Sequence, residues 1–75
     1  SALNIYPNPS NGIFYMNSDY DGEVQIMNAL GQLVLKQKVT RKDEYTFDIS
    51  EMAAGLYLVT LVTDKGNATQ RLLKN

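Results

Sequence analysis

Residues 56–63 read L-Y-L-V-T-L-V-T. The run is built from aliphatic, β-branched and aromatic residues and contains neither proline nor glycine. It is apolar on both alternating faces for most of its length. That pattern predicts a strand, Leu56–Thr63, in the middle of a sheet rather than at its edge. Turn chemistry brackets it. D-K-G-N at 64–67 reads as a hairpin turn leading to a last strand over Ala68–Lys74. On the other side, S-E-M-A-A-G at 50–55 predicts a single helical turn over Glu51–Ala54, capped by Ser50 and ended by Gly55.

Further upstream the period-two signal repeats. Tyr45, Phe47 and Ile49 alternate with Thr46 and Asp48, giving a strand over Tyr45–Ile49 after the polar loop T-R-K-D-E. In Glu23–Asn28, Val24 and Ile26 point one way, and Glu23, Gln25 and Met27 the other. N-A-L-G at 28–31 turns the chain, with Gly31 at the positive-φ position. The next strand, Gln32–Val39, has three consecutive apolar residues, Leu33, Val34 and Leu35, so its facing is ambiguous unless a β-bulge resolves it. Its K-Q-K tail points to an exposed edge. Gly12–Asn17 puts Ile13 and Tyr15 on one face, and Ala2–Tyr6 opens the chain. About seven short strands joined by tight turns predict an all-β fold, a compact immunoglobulin-like antiparallel β-sandwich. Val24, Ile26, Phe47, Ile49, Tyr57, Val59 and Leu61 are its expected core.

Seventy-five residues allow one domain, spanning 1–75. Hydrophobic residues are 44% and charged residues 20%, a folded rather than a disordered profile. A net charge of −1 offers no electrostatic footprint for nucleic acid. No segment is long and apolar enough to form a transmembrane helix. The chain has neither cysteine nor histidine. Nucleophilic schemes built on Ser-His or Cys-His pairs are thereby excluded, and a structural zinc site lacks a ligand set. We expect no enzyme, no metal and no cofactor.

The stretch I-Y-P-N-P-S-N-G at 5–12 concentrates turn chemistry behind the first strand. Pro7 and Pro9 fix their own φ and push Tyr6 and Asn8 toward extended conformations. Ser10, Asn11 and Gly12 then supply a turn. The segment reads as a stiff corner between an edge strand and the second strand.

Three other features bear on function. D-Y-D-G at 19–22 spaces two carboxylates as calcium loops do, but lacks their closing glutamate, so a plain turn is favoured. Five tyrosines raise the alternative of an adhesive or carbohydrate-binding β-sandwich module appended to a secreted enzyme. That reading needs two or three rings on one exposed face, whereas Tyr45 and Tyr57 point toward the core. R-L-L-K at 71–74 is either a last strand whose lysine guards an exposed edge or a terminal recognition tag.

The order of these pieces is more specific than any one of them. Y-P-N-P-S-N-G, then I-M-N-A-L-G-Q-L-V-L-K-Q-K-V, then D-I-S-E-M-A-A-G-L-Y-L-V-T-L-V-T-D-K-G, then T-Q-R-L-L-K-N resembles the C-terminal sorting domain of proteins exported by the type IX secretion system of Bacteroidetes. The resemblance runs from Tyr6 to the last residue. It rests on Tyr6, Pro7, Asn8, Pro9 and Gly12 at the start, and on Gly31 and Val34 in the middle. Asp48, Ser50, Gly55 and Tyr57 match a D-x-S-x-L-x-x-G-x-Y block in which Met52 replaces leucine, a volume-conserving change. Arg71 stands where lysine is commoner, and Lys74 follows.

The resemblance implies a small β-sandwich at the C-terminus of a larger secreted precursor. It implies a secretion signal that directs an N-terminal cargo through the periplasm and across the outer membrane, by binding the outer-membrane translocon. It also implies a surface sortase that commonly removes the domain, leaving the cargo at the cell surface or outside the cell.

Overall fold

The computed structural model describes residues 3–41 and 44–75. Ala2 of the expected first strand, and Lys42 and Asp43 of the expected 40–44 loop, lie outside the described residues. Seven strands follow in chain order: β1 (Leu3–Tyr6), β2 (Ile13–Ser18), β3 (Gly22–Asn28), β4 (Leu33–Val39), β5 (Glu44–Asp48), β6 (Gly55–Thr63) and β7 (Gly66–Lys74). They form two antiparallel sheets, ordered β1-β2-β5 and β4-β3-β6-β7. The first, second and fifth strands share one sheet, and the third, sixth and seventh the other, as in an immunoglobulin sandwich; the fourth pairs with the third. β6 is central in its sheet, and β4 is one of its edge strands, with Lys36 and Lys38 exposed along it.

The core lies between the sheets. Its buried side chains are Leu3, Ile5, Phe14, Met16, Val24, Ile26, Val39, Phe47, Ile49, Tyr57, Val59, Leu61 and Leu72. All seven expected core residues are among them. In β2, Phe14 and Met16 face in, and Ile13 and Tyr15 face out. The Phe14 and Phe47 rings, directly opposite across the β2–β5 pair, stack with centroids 5.3 Å apart. Such cross-strand aromatic pairs are a unit of sheet stabilisation.

The ambiguity in β4 is resolved by a bulge. Ile26 pairs with Leu35 and Met27 with Leu33, which leaves Val34 as the extra residue. Leu35 turns in toward the core and Leu33 turns out, while Val34 also packs against the core.

One expectation needs correction. Residues 50–54 form a turn rather than a helical turn: Met52 N–H donates to Ile49 O, and Ser50 N–H is taken by Asp48 Oδ1. The aspartate side chain competes for the first amide a helix would leave open. β6 is central as expected, with its two faces unlike. Tyr57, Val59 and Leu61 fill the core, while Leu56 and Leu58 stay exposed on the outer face.

Candidate functional site

The two prolines shape an arm that runs from β1 to the neighbouring β7 edge of the other sheet. Both peptide bonds before them, Tyr6–Pro7 and Asn8–Pro9, are cis. The arm lies along the last residues of β7, which among the described residues is the outermost strand of its sheet. Asn8 stands in for one. Its Nδ2 donates to Arg71 O at 2.5 Å, and its Oδ1 accepts Leu73 N–H at 3.1 Å. A side-chain amide carries one acceptor and two donors, so it can satisfy both kinds of backbone group along a strand edge.

Ser10 continues the pairing with its backbone. Its N–H donates to Leu73 O and its O accepts Asn75 N–H, both at 2.8 Å. It forms a parallel bridge with Lys74 and is almost fully buried. Its hydroxyl donates to Ile13 O at 2.8 Å and accepts Gly12 N–H at 3.0 Å, closing the turn into β2.

Gly12 has to be glycine. Its φ is +121°, and a Cβ there would lie 2.5 Å from the Ser50 Cα. Its carbonyl accepts Ile49 N–H at 2.8 Å. The arm is thus tied to β7 at one end and to the β5–β6 crossover at the other.

The crossover holds itself in shape. The Ser50 hydroxyl and backbone N–H keep the Asp48 carboxyl below its ordinary value, because both favour the charged form. Met52 packs on the core where leucine is usual. Tyr57, near the start of β6, sends its hydroxyl to Ala53 O four residues back, at 2.6 Å. This is the tyrosine corner that fixes the equivalent crossover in immunoglobulin domains. Gly55 enters β6 at φ +141°.

The β3–β4 hairpin reaches the same end of the sandwich. Asn28 is level with Tyr57, and Tyr57 with Leu72. Gly31 has φ +84°, as its turn requires, and donates its N–H to Asn28 O at 3.0 Å. Asn8, Gly12, Gly31, Asp48, Ser50, Gly55, Tyr57, Arg71 and Lys74 therefore gather around one pole, although they span most of the chain.

Tyr6 and Lys74 sit differently from the other motif residues. The Tyr6 side chain lies on the outer face of the three-stranded sheet. There it donates its hydroxyl to Glu44 Oε2 and accepts a bond from Asn17 Nδ2. The bond to Glu44, then partial desolvation and the carboxylate's charge, hold the Tyr6 phenol above its ordinary value. Lys74, expected to guard an exposed edge, is instead 8% exposed, because in β7 it shares the inward side with Leu72. Arg71 is exposed, and it is its carbonyl that serves the arm.

Tyr6 and Tyr15 do share one exposed face, with ring centroids 5.8 Å apart and planes 36° apart. Tyr57 is buried, and Tyr45 is half-buried against the core. In the D-Y-D-G turn, Asp21 Oδ1 accepts Arg41 N–H at 2.9 Å. Among the described residues, no group of three or more Asp, Glu, His or Cys is placed to hold a metal.

Sequence reasoning passed over two residues on which the geometry turns. Ser10 was read as a turn residue, and its burial had no sequence signal beyond its place between Pro9 and Gly12. Gly22 was read as the end of a turn. A Cβ on it would meet Val62 O at 2.3 Å, so two strands close on it at the opposite pole.

No match was found among curated proteins. The profile of the secretion system C-terminal sorting domain family matches residues 4–75. That covers all but the first residue of the seven strands and every motif residue gathered at the pole, and the chain therefore belongs to the family of C-terminal sorting domains of type IX secretion.

Proposed function

We propose that this domain carries its cargo through the periplasm and across the outer membrane by presenting its motif pole to the translocon, that a surface sortase then removes it, and that it performs no catalysis itself. Family membership already makes it a signal for export by the type IX route, with cargo in the same precursor. The observation that carries the finer reading is the convergence of the motif. Segments more than sixty residues apart, Asn8 with Arg71 and Leu73, are joined directly by hydrogen bonds. A receptor that reads this pole reads a folded domain whose last strand is in place.

The placement of β1 supports a division of labour. Leu3 is level with Ser18, and Tyr6 with Tyr15, so β1 starts at the pole opposite the motif and runs toward it. A cargo joined ahead of β1 sits at that far pole, where a protease can reach the junction without crossing the surface that is read. The absence of histidine and cysteine supports a non-catalytic role.

The experiment is export of a fluorescent reporter carrying a signal peptide and fused ahead of this domain, in a host with a type IX system. Fluorescence at the cell surface or in the medium is expected for the fusion and not for the reporter alone. Equal export of the two ends the reading. The adhesive alternative rests on the Tyr6–Tyr15 pair. The Tyr6 hydroxyl is already occupied by Glu44 and Asn17, which favours a cross-strand structural role. Binding of the domain to a neutral glycan array, lost in Tyr15→Ala, would reverse that judgement.

A further inference from the structure

The outer face of the four-stranded sheet is divided into two halves. Pair register places Leu33, Met27, Leu58 and Arg71 in one row across β4, β3, β6 and β7. Leu56 lies opposite Leu73 in the next row toward the motif pole. Leu33, Leu56, Leu58 and Leu73 are all exposed, between 36% and 50%, and Leu30 at the hairpin tip is 83% exposed. Away from that pole the same face turns polar. Lys36, Gln25, Thr60 and Thr69 form one row, and Lys38, Glu23, Val62 and Asn67 the next. That half is hydrogen-bonded within itself, through Thr60 to Thr69 and Gln25 to Glu23.

The alternation that builds the core does not require leucine on this outer side. Threonine, which occupies the next row of the same face at Thr60 in β6 and Thr69 in β7, satisfies a strand equally well. A contiguous apolar patch rimmed by polar residues marks a surface meant to be covered. The charges around it indicate by what. This face carries Lys36, Lys38 and Arg71 against Glu23, in a chain whose net charge is −1. A symmetric, face-to-face pairing of two copies would set these cations against each other. A partner with an apolar ridge flanked by carboxylates would match both the leucines and the cations.

Resting on the sorting reading above, we infer that the leucine half of the outer β4-β3-β6-β7 face is the surface by which the domain docks on the export machinery, and that the protein surface it meets there is apolar with an acidic rim.

Two variants of the reporter fusion test this. Leu33→Thr, Leu58→Thr and Leu73→Thr together remove the patch while keeping strand-forming residues. Lys36→Glu with Arg71→Glu reverses the rim and leaves the leucines alone, so it reads the same surface if the first variant melts early. Each is expected to lower export at least tenfold while the isolated domain melts within a few degrees of the parent. Val62→Thr, in the polar half, is expected to export as the parent does. Parental export of either folded variant overturns the inference and leaves the sorting function standing. Failure of the parent fusion to leave the cell defeats the sorting reading itself. Sedimentation gives the third arm: a parent domain that is dimeric at micromolar concentration, and a leucine variant that is monomeric, would make a second copy the occupant and overturn the assignment to the machinery.

Discussion

The two poles of the sandwich solve one problem by different means. Each must bring backbone from separate segments together without leaving polar groups unpaired. At the pole away from the motif, the joins are made by side chains that accept from loop backbone. Asp21 Oδ1 takes Arg41 N–H, and the Tyr45 hydroxyl takes Thr40 N–H at 2.7 Å. Asp19, Asp64, Lys38 and Lys65 line a wide polar concavity between those loops. At the motif pole, the joins run to the backbone of the chain's own last strand, through Asn8 and Ser10. The first arrangement tolerates sequence change, since exposed polar side chains substitute for one another at small cost. The second does not, because the carbonyl and amide groups of β7 find their partners at set positions in the arm. The motif residues gathered at that pole are the fastenings of a corner.

Each pole has a glycine closed upon by backbone, and that invites the harshest comparison. In Gly12→Ala the new methyl would lie 2.5 Å from the Ser50 Cα at φ +121°. In Gly22→Ala it would lie 2.3 Å from Val62 O. Both clashes are with backbone, so neither is relieved by a side-chain rotation. We expect each variant to lose about 3 kcal/mol or more, a large fraction of what a domain of this size has. Urea unfolding of the two proteins measures it. If Gly12→Ala melts like the parent, the arm is not held against the crossover and the comparison between the poles collapses.

Leu72→Ala is expected to come next, and it tests the link between β7 and the core. Leu72 is fully buried, and such truncations cost about 2–5 kcal/mol. Leu73→Ala, the next residue along and exposed, is expected to change stability by less than about 1 kcal/mol. Thermal melts of the pair would settle which leucine faces in; a reversed order would mean that β7 is set with the opposite face inward.

How much of this was legible in the sequence depends on what each residue does. Strands and turns were readable because alternation and glycine placement are local. The L-Y-L-V-T-L-V-T run, the D-K-G-N turn and Gly31 each carry their reason within a few residues. The bulge in β4 was readable as a problem, three apolar residues in a row, and the structure supplied the answer at Val34. In Ile13–Met16 every residue is hydrophobic or aromatic, so the pattern could not choose which pair goes in; contact with Phe47 across the sheet chose Phe14. Lys74 was misread for a similar reason, since its inward position follows from the register of β7 against β6, a long-range fact. The corner at Pro7–Pro9 was legible as a corner. That it fastens onto residues 71–75 was not, because no local rule links Asn8 to a strand more than sixty residues away.

That fastening gives a smaller effect with a sharper location. Asn8→Ala removes the partners of Arg71 O and Leu73 N–H at an exposed edge. About 1 kcal/mol of global stability is expected to go, the usual net worth of such bonds. The local signal is the better test. Hydrogen exchange at Leu73 is expected to quicken markedly, while Thr69, on the part of β7 beyond the arm's bonds, is unchanged. Unchanged exchange at Leu73 would mean that the arm's backbone pairing through Ser10 suffices and that Asn8 serves a partner instead.

The smallest expected effect separates charge from shape in the crossover. Asp48 is held below its ordinary value by the hydroxyl and the N–H of Ser50. Its ionised form is therefore favoured in the folded state. The stability it adds is present above the ordinary aspartate value, near pH 4, and is lost as pH falls through the lowered folded value. Because the group lies at the surface, solvent screens the effect and the slope is shallow. Asp48→Asn keeps an oxygen for the Ser50 N–H and removes the titration. At neutral pH the variant is expected to melt slightly below the parent, and between pH 5 and pH 2 its midpoint should fall less steeply, so that the two curves converge. If Asp48→Asn loses stability in acid as steeply as the parent, the crossover carboxylate adds no charge-dependent stability, and the contrast between the poles rests on the backbone fastenings alone.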